Sequence, residues 1–251
     1  MKTDSGNISP INSCKNCGAS IEGEYCAHCG QRAKIHKVTF KETFQDFWDF
    51  AFSINGPFLV TLKFIFTNPG KLFREYLEGK RKRYYKPVAF FILLTVIHVL
   101  IRSIIGFNAL ENSRRSTQQI DKMTELYEAG QFMFENINNL LFFSVFSLAL
   151  FLKLFFYKRA SLAEFVAVSF YLTGVYIFLG TFNILYMEYI SPGTQYLAIL
   201  AMLGYMVFAM ISWLKRPSVW IAIKAILAYT LGFIGYVVLA FGLSFLIVWL
   251  R

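Results

Sequence analysis

From residue 87 onward the chain consists of long apolar stretches separated by short polar ones. Five of these stretches approach or exceed the roughly 20 residues that an α-helix needs to cross the hydrocarbon core of a bilayer. The predicted spans are 88–107, 140–157, 163–187, 195–214 and 225–249. Lys224 precedes the last span within the same apolar run, which predicts that the first turn of this helix lies in the interface. The pattern predicts an all-α polytopic membrane protein whose transmembrane helical domain covers 87–251.

Residues 38–86, before the first span, show helical periodicity in segments too short to cross a membrane. Residues 39–51 begin with the spacing of a capping box and repeat Phe and Trp at helical intervals. Such a helix buries one face, and the pattern leaves open whether it lies in the interface or packs on the membrane domain.

A second pair of short segments follows the break at 55–57. The apolar residues 58–66 are too few to span, which predicts a re-entrant piece or a short surface helix. Asn68 and Pro69 predict the N-cap and first residue of another amphipathic helix, which ends near Gly79. We therefore expect amphipathic interfacial helices between the N-terminal segment and the first span.

The composition supports a membrane protein and excludes a single soluble domain. The hydrophobic fraction is 56% and the mean hydropathy is +0.49. Too few polar residues remain to form the solvent-exposed surface of a soluble domain. The net charge is +10, and Met1 to Pro87 contain 14 Lys and Arg against 8 Asp and Glu. Most other basic residues flank apolar segments, so the positive charge is explained by the orientation of the spans in the membrane. We therefore expect no nucleic-acid partner.

A basic run stands immediately before the first span. It consists of Lys80, Arg81, Lys82, Arg83 and Lys86. Each such charge beside an anionic leaflet contributes about 1 kcal/mol of attraction. The run predicts an anchor for topology, with specific binding of acidic lipids as the alternative. The tyrosines at 84 and 85 predict an aromatic belt at the headgroup level.

Charge asymmetry predicts a cytosolic N-terminus. Residues 1–35 hold no apolar stretch of signal-peptide length, and residues 1–12 are expected to be disordered. The basic turns at 153–159 and 215–216 then fall on the cytosolic side. The loop 108–138, with three basic and five acidic residues, falls outside, and five spans place the C-terminus outside as well.

All four cysteines lie within residues 13–33. Cys14, Cys17, Cys26 and Cys29 form two C-x-x-C-G knuckles, a spacing that lets two tight turns offer four thiolates to one tetrahedral ion. A glycine after each second cysteine tolerates positive φ and lets backbone N–H groups point at the sulfurs. The segment predicts a zinc ribbon with one structural Zn2+, because four cysteines leave no open position for catalysis and the short segment has little core of its own.

Few ionisable or polar groups interrupt the spans. His98 and Arg102 share one face of the first span, and Asn183 lies in the third. These residues are candidates for an intramembrane site, although Arg102 can extend toward the interface and the other two can bond to neighbouring helices. The small residues Ala228 and Gly232 predict close helix packing in the fifth span.

The sequence supports two hypotheses for function. The first is a non-enzymatic membrane adaptor or regulator, in which the ribbon docks a protein partner. The alternative is a subunit of a small-solute or ion transporter or channel, with His98, Arg102 and Asn183 along its path. No nucleophile, acid/base pair or nucleotide-binding motif is evident, so we expect no enzyme. The sequence leaves open whether the chain forms a homo-oligomer.

A combination of motifs resembles one protein family. The second knuckle reads Tyr25-Cys26-x-x-Cys29-Gly30-Gln31. The combination consists of the two knuckles followed by Thr61, Pro69-Gly70, and Gly79-Lys80-Arg81-x-x-Tyr84-x-x-Pro87. This resembles the bacterial membrane family catalogued as domain of unknown function 3667. The resemblance covers mainly residues 14–101. It implies a location in the bacterial inner membrane and no known activity.

Overall fold

The computed structural model describes residues 13–34, 56–107, 125–191, 194 and 196–250. The predicted disordered terminus 1–12 and the predicted amphipathic helix 39–51 lie outside the described residues. Within the described ranges the ordered elements are α-helices, together with a single antiparallel bridge between Tyr25 and Arg32. In chain order the helices are α1 Pro57–Thr67, α2 Pro69–Leu77, α3 Pro87–Ile104, α4 Glu125–Glu135, α5 Ile137–Phe155, α6 Leu162–Tyr189, α7 Leu197–Leu214 and α8 Val219–Trp249.

Four of the described helices, α3, α6, α7 and α8, are long and apolar enough to cross a membrane. A fifth span results if α4 and α5, which meet at 91°, count as one bent span. Many large apolar side chains on these helices remain exposed, as expected of a surface covered by lipid; they include Leu100, Ile104, Leu150, Leu154, Leu200 and Val238. The predicted fold class, an all-α polytopic membrane protein, is confirmed.

Helix α6 is the centre of the bundle. It contacts α3, α5 and α7. Its sequence is apolar all round, which is typical of a helix that is buried on every side. Gly174 permits one of these close contacts, because a Cβ atom there would lie 2.7 Å from the ring of Phe90 in α3. Helix α6 is therefore packed between α3, α5 and α7, whereas α8 packs on α4, α5 and α7.

Helices α5 and α8 also pack closely. The hydroxyl of Ser147 in α5 donates a 2.8 Å hydrogen bond to the carbonyl of Gly232 in α8. A Cβ atom at Gly232 would lie 3.2 Å from the Cα of Leu148, so a small residue is needed at this crossing. This agrees with the close packing predicted from Ala228 and Gly232. Helix α8 runs unbroken through Lys224.

The segment 108–138, expected to be a loop, contains helix α4. Ala129 in this helix is fully buried, and α4 packs mainly against α8. The spacing of Ala129, Phe132 and Met133 is a helical signal within a polar segment. It was missed because the charged residues around it dominate the composition.

Helices α1 and α2 form a bent pair around Asn68. The side chain of Asn68 accepts a hydrogen bond from the Lys71 N–H, and Pro69 occupies the first turn, as the sequence predicted. The apolar face of α2 is covered by protein, because Leu72 and Phe73 are fully buried and α2 packs against α7. Residues 58–66 are a short helix that packs beside the spans.

The C-terminal end of α7 is fixed by α2. One guanidinium nitrogen of Arg74 donates hydrogen bonds of 2.6 and 2.7 Å to the carbonyls of Ser212 and Trp213. These carbonyls belong to the last turn of α7 and have no partner within their own helix. A cation at this position also opposes the negative end of the helix dipole. Gly70 lies against the same turn, where its N–H bonds to the Ser212 hydroxyl at 3.0 Å.

Candidate metal centre and its docking to the helical domain

The two cysteine knuckles have the same backbone geometry. In the first, the Gly18 N–H bonds to the Cys14 carbonyl, and in the second the Gly30 N–H bonds to the Cys26 carbonyl, both at 2.8 Å. The two glycines have φ values of 79° and 67°, which a side chain would strain. The positive φ predicted for both glycines is present, and each turn directs its pair of cysteines toward the other knuckle.

The four sulfur atoms lie close enough to ligate one ion. All of them are within 4.8 Å of one another. The Sγ atoms of Cys14 and Cys29 are 3.6 Å apart, and those of Cys17 and Cys26 are 3.7 Å apart. Four sulfurs placed about 2.3 Å from a tetrahedral zinc ion would be separated by about 3.8 Å. The donor set and its spacing therefore fit a closed tetrahedral site.

Desolvation and hydrogen bonds within the ribbon shift the pKa values of two cysteines in opposite directions. At Cys17 the Ala19 N–H favours the thiolate, but desolvation and the three neighbouring thiols outweigh it and raise the pKa to about 12. At Cys29 desolvation is outweighed by hydrogen bonds from the Asn16 side chain and the Gln31 N–H, and the pKa falls to about 6. Four thiolates at this spacing repel one another, so a cation is needed to hold them together.

Gln31 connects the cysteine cluster to the helical domain. Its N–H points at the Cys29 sulfur, and its carbonyl accepts a 2.7 Å hydrogen bond from the Cys26 N–H. Its side-chain nitrogen donates a 2.9 Å hydrogen bond to the carbonyl of Gly79, 48 residues along the chain. Gln31 is only 5% exposed, and Gly79 is also buried. One residue therefore joins the second knuckle to the start of the basic run.

The carboxylate of Glu75 organises the segment that receives the ribbon. It accepts hydrogen bonds from the Tyr84 hydroxyl at 2.5 Å and the Lys80 ammonium at 3.1 Å, and the Arg83 guanidinium lies 3.4 Å away. Desolvation opposes its ionisation, but the Tyr84 and Lys80 hydrogen bonds prevail and lower the Glu75 pKa. Lys82 is exposed, whereas Arg81 and Lys86 are half-buried. The basic run is thus partly ordered by a single acidic side chain.

Comparison with known families gives one match for this region. Residues 56–99 match the family model described as Protein of unknown function (DUF3667). The resemblance predicted from the sequence is confirmed over this segment, which excludes the ribbon. A search of curated proteins and a search of solved structures each found no match.

Residues 56–99, which match this family model, are fixed to α6 through Tyr85. The Tyr85 N–H donates a 2.7 Å hydrogen bond to the Thr61 hydroxyl in α1, and the Tyr85 carbonyl accepts a hydrogen bond from the Tyr171 hydroxyl in α6. Tyr84 and Tyr85 are 2% and 7% exposed, so the predicted aromatic belt at these residues is wrong. Both rings are buried within the protein. Tyr84 bonds to α2 through its ring hydroxyl, whereas Tyr85 is fixed to α1 and α6 through its backbone N–H and carbonyl. Thr61 and Tyr84, two of the residues that carry the resemblance, therefore join α1 and α2 to the segment between α2 and α3.

The structure does not bring the three intramembrane candidates into one constellation. His98 lies 2.9 Å from the Thr181 hydroxyl in α6, measured from Nδ1. Arg102 donates from Nε to the Phe107 carbonyl, beyond the end of α3. Asn183 is buried and lies near the Met187 sulfur in its own helix. Because Asn183 is two residues from Thr181, it points to a different face of α6.

We expect Gln31→Ala to separate metal binding from docking. The variant keeps its four cysteines and the backbone hydrogen bonds of the knuckles, so it should retain one metal ion per chain. Loss of the side-chain hydrogen bond should increase amide hydrogen exchange at Lys80–Arg83 by about fivefold, since a buried hydrogen bond contributes about 1 kcal/mol. His28→Ala is the control, because His28 is exposed and lies outside the cysteine cluster. Unchanged exchange in Gln31→Ala would show that this bond does not hold the ribbon.

Proposed function

We propose that the protein is a non-enzymatic adaptor or regulator of the bacterial inner membrane, in which a structural zinc ribbon docks a cytosolic or membrane protein partner. The observation that carries this proposal is the four-cysteine cluster held against the helical domain by Gln31. Four soft thiolates at tetrahedral spacing favour Zn2+. With every coordination position filled by protein, such an ion folds the ribbon and performs no chemistry.

The charge distribution supports a cytosolic position for the ribbon. The ribbon contacts the segment that contains the basic run, and that segment packs against the end of α7 that precedes Lys215 and Arg216. Phe165, at the start of α6, contacts Trp213 at the same end of the bundle. The positive-inside rule assigns such a basic end to the cytosol.

The ribbon also offers a surface that a partner can contact. Tyr25 is 52% exposed, and the guanidinium carbon of Arg32 lies 5.8 Å from the centre of its ring. Tyrosine and arginine are among the residues that most often dominate protein interfaces. The bridge between the two residues holds this pair on the outside of the metal centre. A partner docked there would be fixed relative to the membrane, because Gln31 fixes the ribbon.

The proposal is tested by crosslinking and co-purification from native membranes. Wild-type protein is compared with Cys26→Ser/Cys29→Ser and with His28→Ala at matched expression. A stoichiometric partner present with wild type and His28→Ala, and lost with the double variant, is the expected result. Recovery of the same partners by all three proteins, or of no partner by any of them, would overturn the adaptor function.

A further inference from the structure

A small cavity lies inside the bundle, between α5, α6, α7 and α8. The described residues that line it are uncharged, and those with a hydroxyl group are Ser144, Thr173, Tyr176, Tyr229 and Tyr236. The cavity leaves about 30 Å³ for the centres of water molecules. A buried water needs about 10–15 Å³ by this measure, so the cavity has room for about two of them.

Two of the hydroxyl groups at this cavity lack a hydrogen-bond partner in the part of the chain that the structure describes. They belong to Tyr229 and Tyr236, which are 7% and 4% exposed. The two tyrosines are seven residues apart and therefore lie on the same face of α8. A buried hydroxyl without a partner is destabilising, and a hydrocarbon chain in the cavity would leave both without one. Water can accept from and donate to each of them.

The position of the cavity along the helices excludes bulk water as the partner. Thr173 and Tyr176 in α6, and Tyr229 and Tyr236 in α8, are all at least ten residues from the ends of their helices. At 1.5 Å per residue this is about 15 Å along the helix axis. Tyrosines of an aromatic belt reach water at the membrane surface, whereas these lie too deep to do so. Their partner must therefore be held within the bundle.

We propose that one or two water molecules occupy this cavity and accept hydrogen bonds from the hydroxyl groups of Tyr229 and Tyr236. Ser144 of α5 and Thr173 of α6 line the same cavity and can complete the hydrogen bonds of the water. Water held there connects α8 to both helices in the interior of the membrane domain. The lack of a charged lining residue favours a neutral ligand over an ion. The site is separate from the zinc ribbon, and it does not depend on the proposed adaptor function.

Removal of single hydroxyl groups tests the hydrogen bonds to water. Tyr229→Phe and Tyr236→Phe are compared with wild type by thermal unfolding of the full chain in detergent micelles. If water is the partner, each variant loses a hydrogen bond and should unfold about 2–4 °C lower. Tyr205→Phe calibrates this loss, because the Tyr205 hydroxyl donates an observed 2.8 Å hydrogen bond to the Ile65 carbonyl.

Ser169→Ala is the control for a buried hydroxyl outside the cavity. The Ser169 side chain is fully buried, does not line the cavity, and has no hydrogen-bond partner among the described residues. Its removal should leave the unfolding temperature unchanged or raise it, because no hydrogen bond is lost. If Tyr229→Phe and Tyr236→Phe behave like Ser169→Ala, their hydroxyl groups bind no water and the proposal is overturned.

Radiolytic labelling detects the water itself. X-ray exposure converts water into hydroxyl radicals, which oxidise a neighbouring methionine, and mass spectrometry measures the added oxygen. Met202 of α7 lines the cavity, whereas Met206, one turn further along, is as deeply buried and does not line it. We expect oxidation of Met202 and none of Met206 in wild-type protein. An unlabelled Met202, or equal labelling of the two methionines, would also overturn the water site.

Discussion

Replacement of Cys26 and Cys29 by serine is expected to abolish metal binding and unfold the ribbon. A four-thiolate zinc site in a small module contributes about 10–16 kcal/mol of binding free energy, which serves as folding free energy. Two ligands cannot hold the ion in a closed site, and residues 13–34 contain no regular secondary structure beyond one bridge. Elemental analysis of the purified protein should fall from one zinc per chain to none. Amide protection should disappear over residues 14–31.

The helical domain provides an internal control for this experiment. Among the described residues, its hydrophobic core is built from α1, α2, α3, α5, α6, α7 and α8 and includes no residue of the ribbon. We therefore expect the thermal unfolding of the helical domain to change little in the double variant. His28→Ala should bind one zinc ion per chain. A double variant that retained stoichiometric zinc would show that the four cysteines do not form the site.

Gly70→Ala is expected to prevent α2 from packing on α7. A Cβ atom at this position would overlap the backbone of Ser212 and Trp213 in α7. The obstacle is main chain in the last turn of a helix, so it cannot rotate away as a flexible side chain could. Separating the helices would also break the Gly70 N–H and Arg74 hydrogen bonds. The expected loss is about 4 kcal/mol or more in the free energy of unfolding, at the upper end for single substitutions.

Gly242→Ala in α8 is the matched control for Gly70→Ala. No atom lies within 4 Å of a Cβ built at Gly242, and alanine favours a helix over glycine by about 1 kcal/mol. This control should therefore leave stability unchanged or raise it. Both variants can be compared by thermal unfolding in the same detergent, with size-exclusion chromatography to detect aggregation. Equal unfolding temperatures for the two variants would contradict the close approach of α2 and α7.

The features that could be predicted from the sequence are those that depend on residues close to one another along the chain. The spans follow from the length of apolar runs, the start of α2 follows from Asn68 and Pro69, and the cysteine cluster follows from its spacing. Each of these signals lies within a single helix or, for the cysteines, within residues 14–29. The four-cysteine site could therefore be assigned by residue number before its geometry was known, while the identity of its ion remains a proposal.

The contacts that join distant segments could not be predicted. Nothing around Gln31 indicates that its side chain bonds to Gly79, and nothing around Gly70 indicates that it faces α7. Tyr84 and Tyr85 illustrate the resulting error, because a tyrosine that bonds within the protein and a tyrosine in the headgroup region have the same sequence context. The burial of α2 was missed for a similar reason, since an amphipathic pattern shows that one face is covered without naming what covers it.

The bond between Gly70 and Ser212 also constrains the order in which the protein is made. The two residues are 142 positions apart, so at about 5–20 residues per second the ribosome needs roughly 7–30 s to reach the second after the first. During that interval Leu72 and Phe73 have no α7 to cover them. The N-terminal third of the chain must therefore be kept from aggregating, by the bilayer or by an insertion factor, until the helix that completes it has entered the membrane.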